Sequence, residues 1–525
     1  MKSKKTVRKA LWMSVLSIAL CLTMLIGTTF AWFTDTASTA VNKIVSGKLD
    51  VALEMEENGK WVTAEGETLD FVKAANAPAG EKILWEPGCT YELPKLRIIN
   101  NGNLALKYKV QITGIKGDAM LNNAIEWTIG DVALGEEQHL LAGASNEFTI
   151  KGHMMEKAGN EYQDKSIDGI SIVVLATQDT VEYDSSDNTY DAKAEYPDAP
   201  VIVSRDTLNT ELTLADLKDE EGNVAPVEVT LGNTTAGEIA YSENSSGYTG
   251  KGVMLGSTNL NKYAAAPAEA GQYSFTFKNG TINSAATGYA SIDNFKDTSV
   301  YMLVPGNSDV VFENMTFNGV VSFDIQKYTS PWSNLNSITF KNCTFNGIII
   351  GTCPASNVTF DGCTFNQYKN MASANNSNPI WWREDTEGSG DNANPIKTFT
   401  FVNNTVVGTR PVKIERIGKT VSPVFTIKNN KFDISKQTED TETKNMAINI
   451  GMGEKPNLPF TLIDEGNTIS SNTAALYTAS LTGGSNWYKE VSGMKVLDGN
   501  GNAKTITALV WKTTTGETFA LKSVD

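Results

Sequence analysis

Through about residue 180, apolar and polar residues alternate in short runs that are interrupted by Gly, Asn and Pro. Examples of these runs are "KLDVALEM", "YKVQITGI", "EFTIKG" and "ISIVVLAT". Alternation with a period of two is typical of strands that bury one face, and frequent turn residues between such runs are typical of an antiparallel sandwich. We therefore predict an antiparallel β-sandwich over residues 32–180 and an all-β fold for this region.

The second half follows a different pattern, in which one six-residue phrase recurs at variable intervals. The phrase is "FKNGTI" at 277, "FENMTF" at 312, "FKNCTF" at 340, "FDGCTF" at 360, "FVNNTV" at 401 and "IKNNKF" at 427. A fixed phrase with variable spacing is typical of a solenoid whose coils accept insertions at their corners. We predict a parallel β-helix over residues 200–490, followed by a β cap over residues 491–525. A short helix near residues 208–222 is expected to cap the first coil.

Each phrase is interpreted as a strand, a tight turn and a second strand. Asn accepts the left-handed backbone conformation that a sharp corner needs. Stacking the coils at about 4.8 Å would align the corner side chains into an amide ladder, with Gly362 at one position. The ladder predicted in this way contains Asn279, Asn314, Asn342, Asn403 and Asn429. The pattern resembles the asparagine ladder of right-handed parallel β-helices of the pectate-lyase type, and the resemblance concerns the fold and not catalysis.

The N-terminal residues have the layout of a secretory signal peptide. Five cations and no acid precede an apolar run over residues 10–26. Small residues at positions 29 and 31 predict cleavage between Ala31 and Trp32, and retention as an N-terminal anchor is the alternative. We expect contact with a membrane only through this segment before cleavage, and a secreted, extracellular-matrix or cell-surface location afterwards.

The net negative charge of the chain limits the classes of partner that it is expected to bind. The full chain carries a net charge of −16, and loss of the five N-terminal cations makes the mature chain more acidic still. Such a chain is expected to repel nucleic acid and anionic membrane surfaces. Residues 181–199 contain six acids within "VEYDSSDNTYDAKAEYPD" and are predicted to form an exposed acidic linker, with calcium binding as the alternative. No other cofactor is expected.

Three motifs together resemble one known family. They are "GTTFAWFTDT", "SGKLDVAL" and "LWEPG" followed by "LRIINNGNLALKYKV", and the resemblance to the TasA/camelysin family covers about residues 1–190. It implies secretion through a SipW-type signal peptidase, a jelly-roll sandwich and self-association into matrix fibres. In such fibres the freed N-terminal segment, here Trp32 to about Val41, is similar to a donor strand that completes the next subunit. Cys89 departs from the pattern, because an aromatic residue is expected after "WEPG".

Camelysin is also described as a metalloprotease, but the residues of this chain do not support a protease activity of that kind. A zincin helix needs two histidines one turn apart with a glutamate beside the first. The chain contains only His139 and His153, and "HMMEK" at 153–157 lacks the second histidine. We therefore predict no metal site and interpret both histidines as ordinary surface or strand residues. For Cys343 and Cys363, which occupy the same position in two phrases, a disulfide and a reduced stack both stay open.

A third strand follows each phrase, with examples in "VVSFDI", "PIWWRE", "PVKIERI" and "MAINIG". If its apolar residues point inward, the outward column combines aromatic rings with charged and amide groups, which suits carbohydrate. The insertion at residues 367–395 would overhang this face. An ordinary solvated face is the alternative, since a shift of one residue moves every side chain to the other side. The candidate glycan-binding residues are Asp324, Trp381, Arg383, Lys413, Glu415, Asn449 and Tyr477.

Two functions from different classes follow. In the first, the chain is a secreted structural or adhesive protein, whose sandwich serves assembly and whose β-helix contacts a polysaccharide or a cell-envelope component. In the second, the β-helix is a polysaccharide lyase or glycoside hydrolase, for which Asp324, Glu415 and Arg416 supply suitable residue types. No β-helix enzyme signature accompanies these residues, so no catalytic residue is assigned.

Overall fold

The structure is a computed structural model. It describes residues 48–65, 67, 69–73, 83–113, 116–117, 119–130, 132–168, 170–179, 194–218, 222–241, 248–257, 259–260, 269–286, 298–324, 335–352, 354–366, 378–383, 395–408, 412–417, 420–433, 446–452, 458–470, 475–481, 492–512 and 515–523. The predicted signal peptide, the cleavage site at Ala31 and Trp32, and the segment proposed as a donor strand lie outside the described residues.

The described residues of the first region form short antiparallel strands, one turn of α-helix and one 3-10 turn at Asn160–Tyr162. Its helix is α1 (Ala119–Asn122). Its strands are β1 (Val51–Glu57), β2 (Lys60–Thr63), β3 (Thr90–Glu92), β4 (Leu96–Asn100), β5 (Leu106–Thr113), β6 (Lys116–Gly117), β7 (Ile125–Ile129), β8 (Val132–Ala133), β9 (Gln138–Leu140), β10 (Ser145–Phe148), β11 (Ile150–Met154), β12 (Ile167–Asp168) and β13 (Ser171–Gln178).

These strands form small antiparallel sheets in the orders β10-β4-β1-β2, β3-β11-β7-β8 and β13-β5-β9, with β12 pairing β6. The predicted alternation is visible along β4 and β5, where every second residue is buried. Leu96, Ile98, Leu106 and Ile150 are fully buried in one apolar cluster that draws on several of these sheets. The prediction of an all-β antiparallel first region is therefore confirmed.

The second region begins with β14 and contains α2 (Arg205–Thr210). Its strands are β14 (Val201–Ser204), β15 (Val227–Thr235), β16 (Gly237–Tyr241), β17 (Tyr248–Gly256), β18 (Ser274–Asn283), β19 (Val300–Leu303), β20 (Asp309–Glu313), β21 (Thr316–Asp324), β22 (Leu335–Lys341), β23 (Thr344–Thr352), β24 (Ala355–Asp361), β25 (Thr364–Asn366), β26 (Ile380–Arg383), β27 (Thr398–Val402), β28 (Thr405–Val407), β29 (Val412–Ile417), β30 (Val424–Lys428), β31 (Lys431–Asp433), β32 (Met446–Met452), β33 (Thr461–Glu465), β34 (Thr468–Ser470), β35 (Ala475–Leu481), β36 (Lys495–Leu497), β37 (Ile506–Lys512) and β38 (Thr515–Leu521).

The strands of the second region stack into three parallel ladders, as a parallel β-helix requires. The first face contains β20, β22, β24, β27, β30 and β33, which precede the corner of each phrase. The second face contains β25, β28, β31 and β34, which follow the corner, together with the first halves of β21 and β23. The third face contains β26, β29, β32 and β35 together with the second halves of β21 and β23. The predicted β-helix is thus confirmed as a fold.

Aromatic rings fill the interior of the helix in continuous stacks. Phe312, Phe340 and Phe360 pair with one another on the first face, and their successive ring centroids lie 5.3 Å and 4.8 Å apart with nearly parallel planes. Phe345 and Phe365 repeat this stack on the second face at 4.8 Å. All five rings are fully buried. Stacked rings bury a large apolar area in each coil. Each phrase therefore adds one layer to the apolar core, and this layer holds the next coil in register.

The corner asparagines have a backbone role in the structure. A positive φ between 50° and 58° is found at Asn279, Asn314, Asn342, Asn403 and Asn429. Gly362 takes the same position with a φ of 67°. Asn and Gly tolerate this left-handed conformation, which bends the chain sharply from the first face to the second. The corner residue is therefore selected by its backbone conformation.

The amide-to-amide hydrogen bonds among described residues join other asparagines. A buried ladder lies one residue after the corner, where Asn404 and Asn430 are 0% exposed and Asn467 follows. Asn404 donates to Asn430 Oδ1 from both its backbone N–H and its side chain, and Asn430 repeats both contacts with Asn467. A half-buried ladder on the second face joins Asn233, Asn283, Asn318, Asn346 and Asn366 at 2.8–3.2 Å.

The position of the buried ladder is filled by cysteines in two earlier coils. Cys343 and Cys363 are free thiols in the structure, and each is 1% exposed. Their Sγ atoms lie 3.2 Å and 3.3 Å from the backbone carbonyl oxygens of Phe312 and Phe340, to which the thiols donate. Burial raises the pKa of the Cys363 thiol, because the thiolate would lose its hydration. The reduced stack is the arrangement that the structure contains.

Both ends of the helix are closed by short elements. At the N-terminal end, Ser204 caps α2 by accepting a hydrogen bond from the N–H of Thr207. Leu208, Leu212 and Leu217 are buried in the core of the β-helix. The helix expected near residues 208–222 is found only in part, because α2 starts at Arg205, after the capping Ser204, and ends at Thr210, and described residues 211–218 contain turns and bends. At the C-terminal end, β37 pairs parallel with β35 and antiparallel with β38, which ends the ladder.

We expect Asn430→Ala to destabilise the protein by about 2–5 kcal/mol, because it leaves the buried Asn404 N–H and Phe401 carbonyl without a partner. Asn429→Gly, one residue away at the exposed corner, should change the stability by less than about 1 kcal/mol, because glycine adopts the same φ. Urea denaturation of both variants measures the difference. Equal losses would contradict the assignment of the ladder to the position after the corner.

We also expect Cys343 and Cys363 to resist alkylation in the folded protein, whereas the partly exposed Cys89 reacts. The reason is that both thiols are buried and so offer a reagent little access, and burial also raises the pKa of the Cys363 thiol, which lowers its thiolate fraction. Mass spectrometry after alkylation at neutral pH, with and without denaturant, counts the reactive thiols. Failure of this pair to react in denaturant until a reductant is added would show a disulfide.

Candidate functional site

The third face carries the predicted outward column, and its phase is fixed by the strand β26. Ile380 and Trp382 are fully buried in the helix core, whereas Trp381 and Arg383 are half-buried. Successive side chains of a strand point to opposite sides, so Trp381 and Arg383 face outward. The two neighbouring tryptophans of "PIWWRE" therefore have different environments.

The inward tryptophan anchors this strand. Trp382 packs edge-to-face on Phe360, with ring centroids 5.7 Å apart. Its partner on β23 is Gly351, where a Cβ atom would lie 2.3 Å from the indole ring. Only glycine leaves room for the ring at this position. Trp382 Nε1 is buried without a hydrogen-bond partner, so the ring's large apolar surface must outweigh that cost.

Strand register places the candidate residues in two columns. Trp381 lies opposite Lys413, Lys413 opposite Asn449, and Asn449 opposite Thr478. Arg383 lies opposite Glu415 on one side and Thr352 on the other, and Thr352 lies opposite Asp324. By strand register, these two columns of backbone positions run side by side along the third face.

Two cations lie over one indole ring at the centre of this face. The Arg383 guanidinium carbon is 5.0 Å from the centroid of the Trp381 ring, and Lys413 Nζ is 5.2 Å from it. Both distances are within the range of cation–π attraction, which is worth about 0.5–2 kcal/mol per pair. The half-buried ring of Trp381 is therefore within cation–π distance of two cationic side chains.

The remaining candidate glycan-binding residues differ from Trp381, Arg383 and Lys413 in what the structure describes of their burial and register. Asn449 is 5% exposed, so it offers little surface to a ligand. Tyr477 lies opposite Ile448, which is fully buried, and Thr478 takes the place beside Asn449. Asp324 and Glu415 share the column of Arg383 by register. The side chains of Asp324, Glu415 and Tyr477 lie outside the described part of the structure.

An apolar cluster that the sequence analysis did not identify lies beside Trp381. Ala286, Val320, Ile348 and Ile350 are buried together outside the main core, with Trp381 packed against them. Within "GIIIGT", Ile349 belongs to the main core while its two neighbours face the opposite way. Three consecutive isoleucines with no polar residue between them are the signal of a strand that is buried on both sides.

A buried hydroxyl continues the Trp381 column. Ser322 lies opposite Ile350, which in turn lies opposite Trp381. Ser322 is 0% exposed, and its Oγ has no hydrogen-bond partner. Burial of an unpaired hydroxyl costs about 1–3 kcal/mol. The described outer side of the third face thus combines buried apolar residues, one unpaired hydroxyl and, toward the surface, Trp381 with its two cations.

The histidines lie on separate strands of the first region. His139 Nδ1 is 2.7 Å from the buried carboxylate of Asp179. His153 Nδ1 is 2.9 Å from Thr90 Oγ1, and its Nε2 is 3.5 Å from Glu156. No group of three His, Cys, Asp or Glu side chains suitable for a metal ion occurs among the described residues. Within that same part of the chain, no helix is long and apolar enough to cross a membrane.

Comparison with known proteins gives one partial match. The family model described as camelysin metallo-endopeptidase matches residues 6–58. The match spans most of the predicted signal peptide and the whole of β1, which supports the resemblance to the TasA/camelysin family at the N-terminus. No curated protein and no solved structure matches the chain. The β-helix lies wholly outside the matched stretch.

The two tryptophans of β26 give a direct test of the register. Trp382→Ala should cost about 3–5 kcal/mol of stability, because it empties a buried site against Phe360. Trp381→Ala should cost less than about 2 kcal/mol, because its ring is half-buried and outside the main core. Thermal and urea denaturation measure both values. The reverse order would mean that β26 is turned over and that Arg383 faces inward.

Proposed function

We propose that this chain is a secreted matrix or surface protein, whose first region assembles with other copies and whose β-helix contacts a polysaccharide. The observation that carries the assembly proposal is the family match at residues 6–58, which ends within the first antiparallel sheet. In the resembling family, the segment freed by signal cleavage completes a neighbouring subunit. In this chain, that segment is residues 32–41.

The first region has features that an added strand would satisfy. Its apolar cluster contains more partly buried than fully buried side chains among the described residues, whereas the β-helix core shows the reverse. Val51, Leu53, Ile172 and Val174 are examples of the partly buried ones. An apolar surface left partly open is stabilised by about 25 cal/mol for each Å² that an added strand covers.

One sheet of this region also offers a long edge. β13 pairs over its whole length with β5, and the described strand pairings give it no partner on its other side. An edge strand of eight residues presents the N–H and C=O groups of every second residue on the side away from its partner, and such an edge forms a template for another strand. A segment from a second copy would gain main-chain hydrogen bonds there, which is strand addition.

Assembly is tested by negative-stain electron microscopy of purified residues 32–525 beside residues 42–525. We expect filaments from the first and monomers from the second, because removal of residues 32–41 removes the donor strand but leaves the start of β1 intact. Equal circular dichroism spectra and melting temperatures of the two monomers serve as the control for folding. Dispersed particles in both preparations would contradict the assembly proposal.

The glycan proposal rests on the third face. Trp381, Arg383 and Lys413 combine an aromatic ring with hydrogen-bond donors at a half-buried position, which is the chemistry that recognises sugar rings and their polar groups. The alternative of a polysaccharide lyase or glycoside hydrolase rests on the residue types of Asp324, Glu415 and Arg416 alone. Release of reducing ends or unsaturated uronic products from mixed polysaccharides would favour the enzyme over the structural function.

A further inference from the structure

A lysine, a carboxylate and a side-chain amide meet at the C-terminal end of the β-helix. Asp464 on β33 is 5% exposed and lies opposite Ile427, which is fully buried. Lys504, which lies between β36 and β37, donates from Nζ to Asp464 Oδ2 and, at 3.0 Å, to the Asp464 backbone carbonyl. Asn467 Nδ2 donates to the other carboxylate oxygen, Oδ1, at 2.8 Å. One buried carboxylate therefore contacts the amine of one side chain and the amide of another.

The carbonyl oxygen of the same amide accepts two further hydrogen bonds. Asn467 Oδ1 accepts from the backbone N–H of Asn430 at 3.0 Å and from Asn430 Nδ2 at 2.8 Å. Two N–H donors on one carbonyl oxygen polarise the carbonyl group, and they stabilise the negative charge that forms on this oxygen when a nucleophile adds to its carbon. Asn430 is 0% exposed and belongs to the buried ladder, which fixes both donors. The Asn467 amide is thus activated for attack at Cγ.

We propose that Lys504 and Asn467 form an intramolecular isopeptide bond, with Asp464 as the acid and base that moves the protons. The three side chains supply each group that the reaction needs, which are an amine nucleophile, a polarised amide and a carboxylate in contact with both nitrogens. Because both nitrogens are held at one carboxylate, the two reacting groups are brought together by the fold before the reaction starts, which favours bond formation.

The reaction balances without any other reactant. Asp464 takes a proton from the Lys504 ammonium, and the neutral Nζ adds to Asn467 Cγ, which leaves an oxyanion that accepts from both N–H donors of Asn430. Asp464 then gives its proton to Nδ2, and the Cγ–Nδ2 bond breaks as the carbonyl forms again. The departing ammonia takes the extra proton from Nζ. One C–N bond forms, one C–N bond breaks, one ammonium ion is released, and Asp464 is again a carboxylate.

The bond would tie the last coils of the β-helix to the segment that closes them. Asn467 lies between β33 and β34, so the bond to Lys504 closes a loop that contains β34, β35 and β36. A cross-link limits the conformational freedom of the unfolded chain, and at the end of a solenoid it also hinders unfolding that starts from that end. The chain would gain resistance to heat and to proteolysis without a disulfide. This inference is independent of both the proposed assembly and the proposed glycan contact.

The test is mass spectrometry of purified residues 32–525 after denaturation. We expect a mass that is lower than the mass of the sequence by one molecule of ammonia. A tryptic digest should contain the peptide of Asn467 joined to the peptide of Lys504, with no cleavage after Lys504, because trypsin does not cut after an acylated lysine. The full sequence mass together with unlinked peptides, after prolonged incubation of the folded protein, would overturn the inference and leave an ion pair with hydrogen bonds only.

Variants assign the chemistry to the three residues. Lys504→Arg keeps a cation beside Asp464 but removes the amine nucleophile, so it should show no cross-link, a lower melting temperature and faster proteolysis. Asp464→Asn keeps the size of the side chain but removes the proton-transfer group, and should also prevent the cross-link. Lys495→Arg makes the same change at an exposed lysine of β36 and should leave the cross-link intact.

Equal circular dichroism spectra confirm that the variants fold. Loss of ammonia that persists in Lys504→Arg would come from another amide and would overturn the assignment of the bond. A cross-link that forms at an unchanged rate in Asp464→Asn would overturn the role of Asp464.

Discussion

The structure depends on one constraint, which is that consecutive coils of the β-helix stack in register. A left-handed corner residue in each phrase turns the chain at the same point, and the aromatic residue before it then lies on the aromatic residue of the preceding coil. The insertions between phrases differ in length, yet the pairs keep their partners across them. Because of this register, residues distant in the sequence, such as Trp381 and Lys413, share one surface column.

Much of this fold was predictable from the sequence, since the phrase combines apolar positions with a corner residue in every coil. The location of the buried amide ladder was not predictable from a single phrase. "FVNNTV" and "IKNNKF" contain two adjacent asparagines, and the pattern of one phrase does not say which of them faces inward. The other coils indicate which position faces inward. In them, the residue after the corner is Met315, Cys343 or Cys363, and all three are apolar. A column that is apolar in three coils indicates the interior.

The candidate site was predictable in part. The alternation of "PIWWRE" correctly separates Trp382 from Trp381, since a strand fixes the phase of its own residues. The phase of a later strand depends on the loop before it, and loop length carries no information about register. The register pairs Tyr477 with Ile448, and Thr478 holds the place beside Asn449. The burial of Asn449 depends on the tertiary packing above it, which alternation does not encode.

In-register stacking is the central claim, and disulfide trapping across one coil tests it most directly. Thr359 and Thr400 are paired on the first face, although 40 residues, including the strand of Trp381, separate them. Adjacent paired strands place such residues about 4.8 Å apart, within the range of a disulfide. With Cys89 replaced by serine, Thr359→Cys combined with Thr400→Cys should cross-link under mild oxidation, whereas Thr359→Cys combined with Thr398→Cys should not. Equal cross-linking of both pairs, or of neither, would contradict the register on which the site depends.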